Sequence, residues 1–162
     1  MPLPAHLTLE GENQGSIEGS CDQEGREGTI LVQALDHEVS IPRETQTGLA
    51  TGKRVHHPLT IMKAFDKSTP LLYQALTSGE HMKSVEIKWY RIDPTGTEEH
   101  YFTTKLEDAI IVSIRPAMKN CLDPAMEHLP HLEEISFTYR KAIWRWEPDG
   151  IESEDDWRAP RQ

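Results

Sequence analysis

The chain has 162 residues, enough for one domain or one domain with a long loop. Its 17 basic and 27 acidic side chains leave a formal charge of −10, which disfavours a nucleic-acid binder or a protein drawn to anionic lipid. An apolar fraction of 36% fits a small core under much polar surface, or a subunit with several wetted faces such as the wall of a ring.

The start, MPLPAHLTLEGEN, has no basic cluster and no apolar run long enough for a secretion signal. No segment approaches the roughly 20 apolar residues of a membrane span. The expectation is a chain made in the cytoplasm that leaves the cell, if at all, without such a signal. Ala5, Leu7 and Leu9 alternate with His6 and Thr8 as a first strand. Residues 10–28 are acidic and Gly-rich and read as turns and loop. Residues 29–41 form a long strand candidate whose apolar set changes parity near Leu35, which predicts a bulge or bend. Residues 42–53 are the longest unpatterned stretch, too long for a tight hairpin. A loop of this kind is functional or mobile more often than not. Residues 55–65 return as a strand with Leu59, Ile61 and Lys63 on one face.

The best-punctuated element follows. Ser68 or Thr69 can cap a helix, Pro70 suits its first turn, and Gly79 suits a left-handed C-terminal cap. The spacing predicts one short helix over about 70–78, with Leu72, Ala75 and Leu76 as its buried stripe. Val85, Ile87 and Trp89 then alternate with Ser84, Glu86 and Lys88 as a strand. Asp93-Pro94-Thr95-Gly96 is a hairpin turn leading to a strand through His100, Phe102 and Thr104. Ile110, Val112 and Ile114 read as the next strand, ended by Pro116. Residues 120–130 connect to Ile135, Phe137 and Tyr139. Trp144 and Trp146 lead into the Asp149-Gly150 turn and a closing strand over 151–157. The polar tail is expected to fray beyond Trp157. About eight strands and one helix point to a sandwich or barrel.

Candidate chemistry is sparse. Cys21 and Cys121 are far apart in sequence and form no C-x-x-C pattern, so a reduced pair is the commoner case than a bridge. His56 and His57 are neighbours on a strand and face opposite ways. His128 and His131 are separated by a proline that excludes helical ligand spacing, and read as solvated loop residues. Asp36, His37 and Ser40 hold the letters of a triad without a nucleophile elbow or oxyanion loop. The pairs Glu98-Glu99, Glu133-Glu134 and Asp155-Asp156 read as solvated surface. Trp144 and Trp146 read as core or subunit-contact aromatics. No metal or cofactor is expected.

Several weak motifs in order carry a resemblance. They are P-A-H-L-T-L-E-G near the start, G-T-I-L-V-Q-A-L-D-H over 28–37, and D-K-S-T-P-L-L followed by S-G. K-S-V-E-I-K-W-Y, Y-F-T-T-K-L-E-D and I-W-R-W-x-x-D-G-I complete the set. This resembles the Hcp proteins, tube subunits of bacterial type VI secretion systems, across nearly the whole chain. The resemblance implies a single Hcp-like domain over 1–162. Its fold is mainly β, a barrel of two packed antiparallel sheets with one short flanking helix. It also implies a homohexameric ring, stacked rings, a VgrG-like spike protein and contractile sheath as partners, effector proteins carried in the lumen, and no reaction. In that family an extended loop at this place reaches the next ring, so Thr47, Gly48, Leu49, Thr51 and Lys53 become stacking candidates. Leu72 and Leu76 become helix-packing or subunit-contact candidates. The other readings are a phage-type tail tube protein, a small ligand-binding barrel carrier, and a hydrolase built on Asp36, His37 and Ser40.

Overall fold

The computed structural model describes residues 3–158. Among them are β1 (Ala5–Gly11), β2 (Gly15–Ile17), β3 (Ile30–Val32), β4 (Ala34–Asp36), β5 (Val39–Ser40), β6 (Val55–His56) and β7 (Leu59–Ala64). The helix α1 (Thr69–Ser78) comes next, then β8 (His81–Ile92), β9 (Glu98–Ala117), β10 (Leu132–Thr138), β11 (Lys141–Trp146) and β12 (Ile151–Asp156). The fold is mainly β with one short helix, as the alternation and turn signals predict, and its strands form two antiparallel sheets, as the resemblance implies.

The large sheet runs β2-β1-β8-β9-β10-β7-β4, with β3 also on β1 and the β11–β12 hairpin on β9. Gln33 alone separates β3 from β4, and β3 pairs with β1 while β4 pairs with β7. One chain segment therefore joins the two ends of the sheet and closes it into a barrel, which leaves fewer exposed edges. Ile30, Val32, Leu7, Leu9, Ile61, Val85, Ile87, Leu106, Ile135 and Phe137 fill the interior.

Several expected boundaries move. The 29–41 strand breaks into β3, β4 and β5, with the partner switch at Gln33 and a second break at His37–Glu38. That is the parity change, placed two residues earlier than expected. Residues 10–28 are not all loop, because β2 folds back on β1 through Leu9↔Ile17. The two strands expected around Phe102 and around Val112 are one strand, β9, of 20 residues. Asp108 bends it at φ 51, a left-handed conformation that Asp tolerates better than most side chains. The bend shifts the inward set from Thr104 and Leu106 to Ala109 and Ile111, and leaves Val112 exposed. Pro116 does not end it, since Pro116 still faces Glu133 across the ladder. Fraying beyond Trp157 falls on 159–162, outside the described residues.

The helix ends where Pro70 and Gly79 place it. Gly79 is left-handed at φ 69, and its N–H and that of Glu80 close onto the Leu76 and Ala75 carbonyls. Its start is built differently from the expected Ser68 or Thr69 cap. Ser68 makes no side-chain cap bond. Asp66 instead accepts from the Ser68 N–H at 2.9 Å and from the Ser68 hydroxyl, while Thr69 Oγ1 accepts the Asp66 N–H at 3.1 Å. Leu72 and Ala75 are buried, and Leu76 packs half-buried against the same core.

Candidate functional site

Residues 41–53 are all exposed. They are not the patternless loop that their composition suggests. β5 and β6 pair through Val39↔His56 and Ser40↔Val55, and the ladder continues outward through an Arg43↔Ala50 bridge. Glu44 N–H donates to Leu49 O and Thr51 N–H to Pro42 O, each at 2.8 Å. Gly48, at φ 73, turns the tip, and Thr47 donates to Glu44 Oε2 at 2.7 Å. The stretch is thus a projecting two-stranded arm with Leu49 at its tip, 66% exposed. Thr47, Gly48 and Leu49 share the tip. Thr51 and Lys53 lie on the returning leg.

A groove of about 450 Å³ separates the arm from the β11–β12 hairpin, lined by Val39, Ile41, Arg54, Trp144 and Asp155. What ties the arm to the barrel is polar. Arg54 Nε–H donates to Asp155 Oδ2 at 2.5 Å and its Nη2 to the Asp156 carbonyl at 3.0 Å. His56, 5% exposed, lies 2.7 Å from Asp155 Oδ2 through Nε2 and 2.6 Å from the Tyr139 hydroxyl through Nδ1. His37 Nε2 lies 2.7 Å from the same hydroxyl. The Trp144 and Trp157 indoles stack near the His56 ring at 6.3 and 5.5 Å, and Trp157 Nε1–H donates to the Tyr139 carbonyl. Burial, reinforced by the neighbouring His56, holds the His37 imidazole below its ordinary value. The Arg54 hydrogen bond, with help from His56, outweighs burial and holds the Asp155 carboxyl below the usual carboxylate range. Burial pushes the Tyr139 hydroxyl upward, and Asp155 adds to that shift.

This geometry disperses the letters of the hydrolase reading. His37 is engaged with Tyr139, while Ser40 bonds His57 Nε2 at 3.0 Å on the arm. Asp155 is not the solvated surface group that its acidic neighbours suggest. Glu133 is not either, because it is 1% exposed and its Oε1 lies 2.5 Å from Lys63 Nζ beneath the helix start. The strand alternation through Ile135 and Phe137 already placed Glu133 on the inner face. Cys21 and Cys121 are separate free thiols, Cys21 half-buried and Cys121 exposed. His128 and His131 are exposed, and no cluster of metal-ligand side chains occurs among the described residues. No described helix is long and apolar enough to cross a membrane.

A second apolar surface lies on the connection between β9 and β10, where Met118, Leu122 and Met126 are exposed, Leu122 to 87%. Exposed apolar side chains on an arm and on a second loop are candidate contact surfaces. A closed barrel that carries such surfaces has the build of an assembly subunit.

The family follows from comparison. The family model described as "Type VI secretion system effector, Hcp" matches residues 6–146, and the chain belongs to that Hcp family. The major exported protein of Pseudomonas aeruginosa is 50% identical over 169 aligned residues, spanning 99% of this chain and 98% of that protein. A crystal structure of an Hcp protein superposes with a TM-score of 0.91 at 38% identity, covering 98% of this chain and 100% of the other. The secreted protein Hcp3 from Pseudomonas aeruginosa does so with a TM-score of 0.81 at 44% identity, again covering 98% and 100%. Membership of a secretion-system family supports a multi-subunit assembly rather than an enzyme.

Proposed function

We propose that the chain is a structural subunit of a type VI secretion inner tube. Six copies close into a ring, rings stack, and effector proteins travel in the lumen. The tube works with a VgrG-like spike and a contractile sheath, and leaves the cytoplasm for the medium or a target cell. The observation that carries this reading is the arm. A hairpin whose residues 41–53 are all exposed, tipped by Leu49, buries none of them against the described residues of its own barrel. A neighbouring ring would supply one. The packed interior weighs against the carrier reading, because Leu7, Ile87, Leu106 and Phe137 occupy the space an apolar ligand would need.

Charge sets a condition on assembly. Each copy carries a formal −10, so stacked rings repel unless opposite charges meet at contacts or salt screens them. Weak stacking suits a tube that must come apart after delivery.

Deleting residues 47–52 tests the arm. The shortened chain is expected to keep its ring and its unfolding midpoint, because the deleted residues bury nothing in the core. Sedimentation should show tubes from the full chain and only rings from the deletion, with secretion lowered in parallel. Tubes of equal length from both chains would remove the arm from stacking.

A further inference from the structure

Both legs of the arm converge on one oxygen. His37 precedes β5 and His56 lies on β6, 102 and 83 residues from Tyr139, yet each imidazole touches the Tyr139 hydroxyl. The proton positions follow from the partners. Asp155 accepts from His56, so His56 Nε2 carries a proton. With that ring neutral, Nδ1 accepts from the Tyr139 hydroxyl, and the Tyr139 oxygen in turn accepts from His37 Nε2–H. Each atom in the relay then has one partner in one direction.

Added protons are absorbed unequally. One proton on His56 reverses the relay: Nδ1–H donates to the hydroxyl, the hydroxyl turns to His37 Nε2, and the His37 proton moves to its Nδ1. A second proton, on His37, leaves nothing to turn. Two N–H groups then face one oxygen, and the hydroxyl hydrogen is stranded at a residue that is 1% exposed. The two imidazolium charges also repel. From the arm, Arg54 and His57 add positive charge, and from β4 Asp36 opposes it. From β12, Asp155 opposes it too, but already serves Arg54 and His56. Asp156 lies beyond, 3.7 Å from Arg140.

We propose that His37, His56 and Tyr139 form a proton-operated latch that holds the stacking arm to the barrel while both imidazoles are not protonated together, and releases it when they are. Val39 and Ile41 beside the groove are exposed, so once the latch opens the arm is left with the Arg54 contacts to Asp155 and Asp156 and the indoles near His56. A freed two-stranded hairpin is marginal in water, so release also loosens the ladder within the arm. The sign follows from linkage. The latched state holds His37 below its ordinary value and binds fewer protons than the released state, so its advantage is present at neutral pH. That advantage is lost as pH falls through the ordinary histidine range near 6.5.

The latch itself does not depend on tube assembly, whereas its consequence for stacking rests on the tube reading. Amide exchange on the full chain, corrected for intrinsic rates, tests it at about pH 7.5 and about pH 5.5. The amides of Glu44, Thr51 and His57 should lose protection about tenfold or more on acidification, while amides of β8 keep theirs. His37→Gln retains a donor to Tyr139 and cannot take the second proton, so its arm should stay protected at the lower pH. Unchanged arm protection in the wild type, or equal loss in the variant, overturns the latch. The wild-type imidazole signals decide it without any variant: His37 and His56 titrating with no loosening of the arm also overturns it. If the arm opens while light scattering shows tubes unaffected, the latch stands and the arm's stacking role fails.

Discussion

Lys63→Ala is expected to destabilise the chain by about 3–5 kcal/mol, the range for breaking a buried ion pair from one side. The side chain is 1% exposed and lies at the point where β7, β10 and the helix start meet. Its Nζ is 2.5 Å from Glu133 Oε1 and 3.0 Å from Asp66 Oδ1, and it donates to Thr69 Oγ1 and the Ala64 carbonyl. Removing the ammonium leaves a fully buried Glu133 carboxylate whose Oε2 already lacks a partner among the described residues. It also loosens Asp66, which organises the turn before the helix. Chemical denaturation measures the loss. Replacing both ends with apolar side chains, Lys63→Met with Glu133→Leu, should cost much less than the two single changes added together. A loss under about 1 kcal/mol for Lys63→Ala would show that the pair is not closed in solution.

Leu72→Ala should cost about 2–5 kcal/mol, toward the upper end, because the side chain is fully buried beneath the barrel's one flanking helix. Ala75 beside it is small, and Leu76, one turn further on, already packs against the same core. Leu76 is half-buried, so Leu76→Ala should cost clearly less in the isolated chain. A Leu76 loss that appears only in the assembled protein would place that side chain at a subunit contact. Unfolding of Leu72→Ala at the wild-type midpoint would contradict the packing of α1 against the barrel.

Local signals carried much of this fold and long-range ones were silent. Pro70 and Gly79 act within a few residues, so they located the helix. Asp93 accepts from the Thr95 and Thr97 amides, each at 2.9 Å, so its turn was equally legible. The partner switch at Gln33 and the bend at Asp108 leave only a parity change. In β9 the parity change falls at Asp108, so one strand looked like two. The latch was less legible still. Tyr139, His37, His56 and Asp155 meet only after four separate segments fold, and nothing in their spacing announces it. Asp155 and Glu133 looked like surface because acidic neighbours adjoin each, yet strand alternation turns one of every pair inward. Glu133 could have been found from Ile135 and Phe137.

The mass of the purified protein in solution tests the central claim most directly. Light scattering across micromolar concentrations should give a particle of six times the 18.5 kDa chain mass, appearing in negative stain as a ring with a central opening. A species at the chain mass itself, at every concentration, would contradict the tube-subunit account.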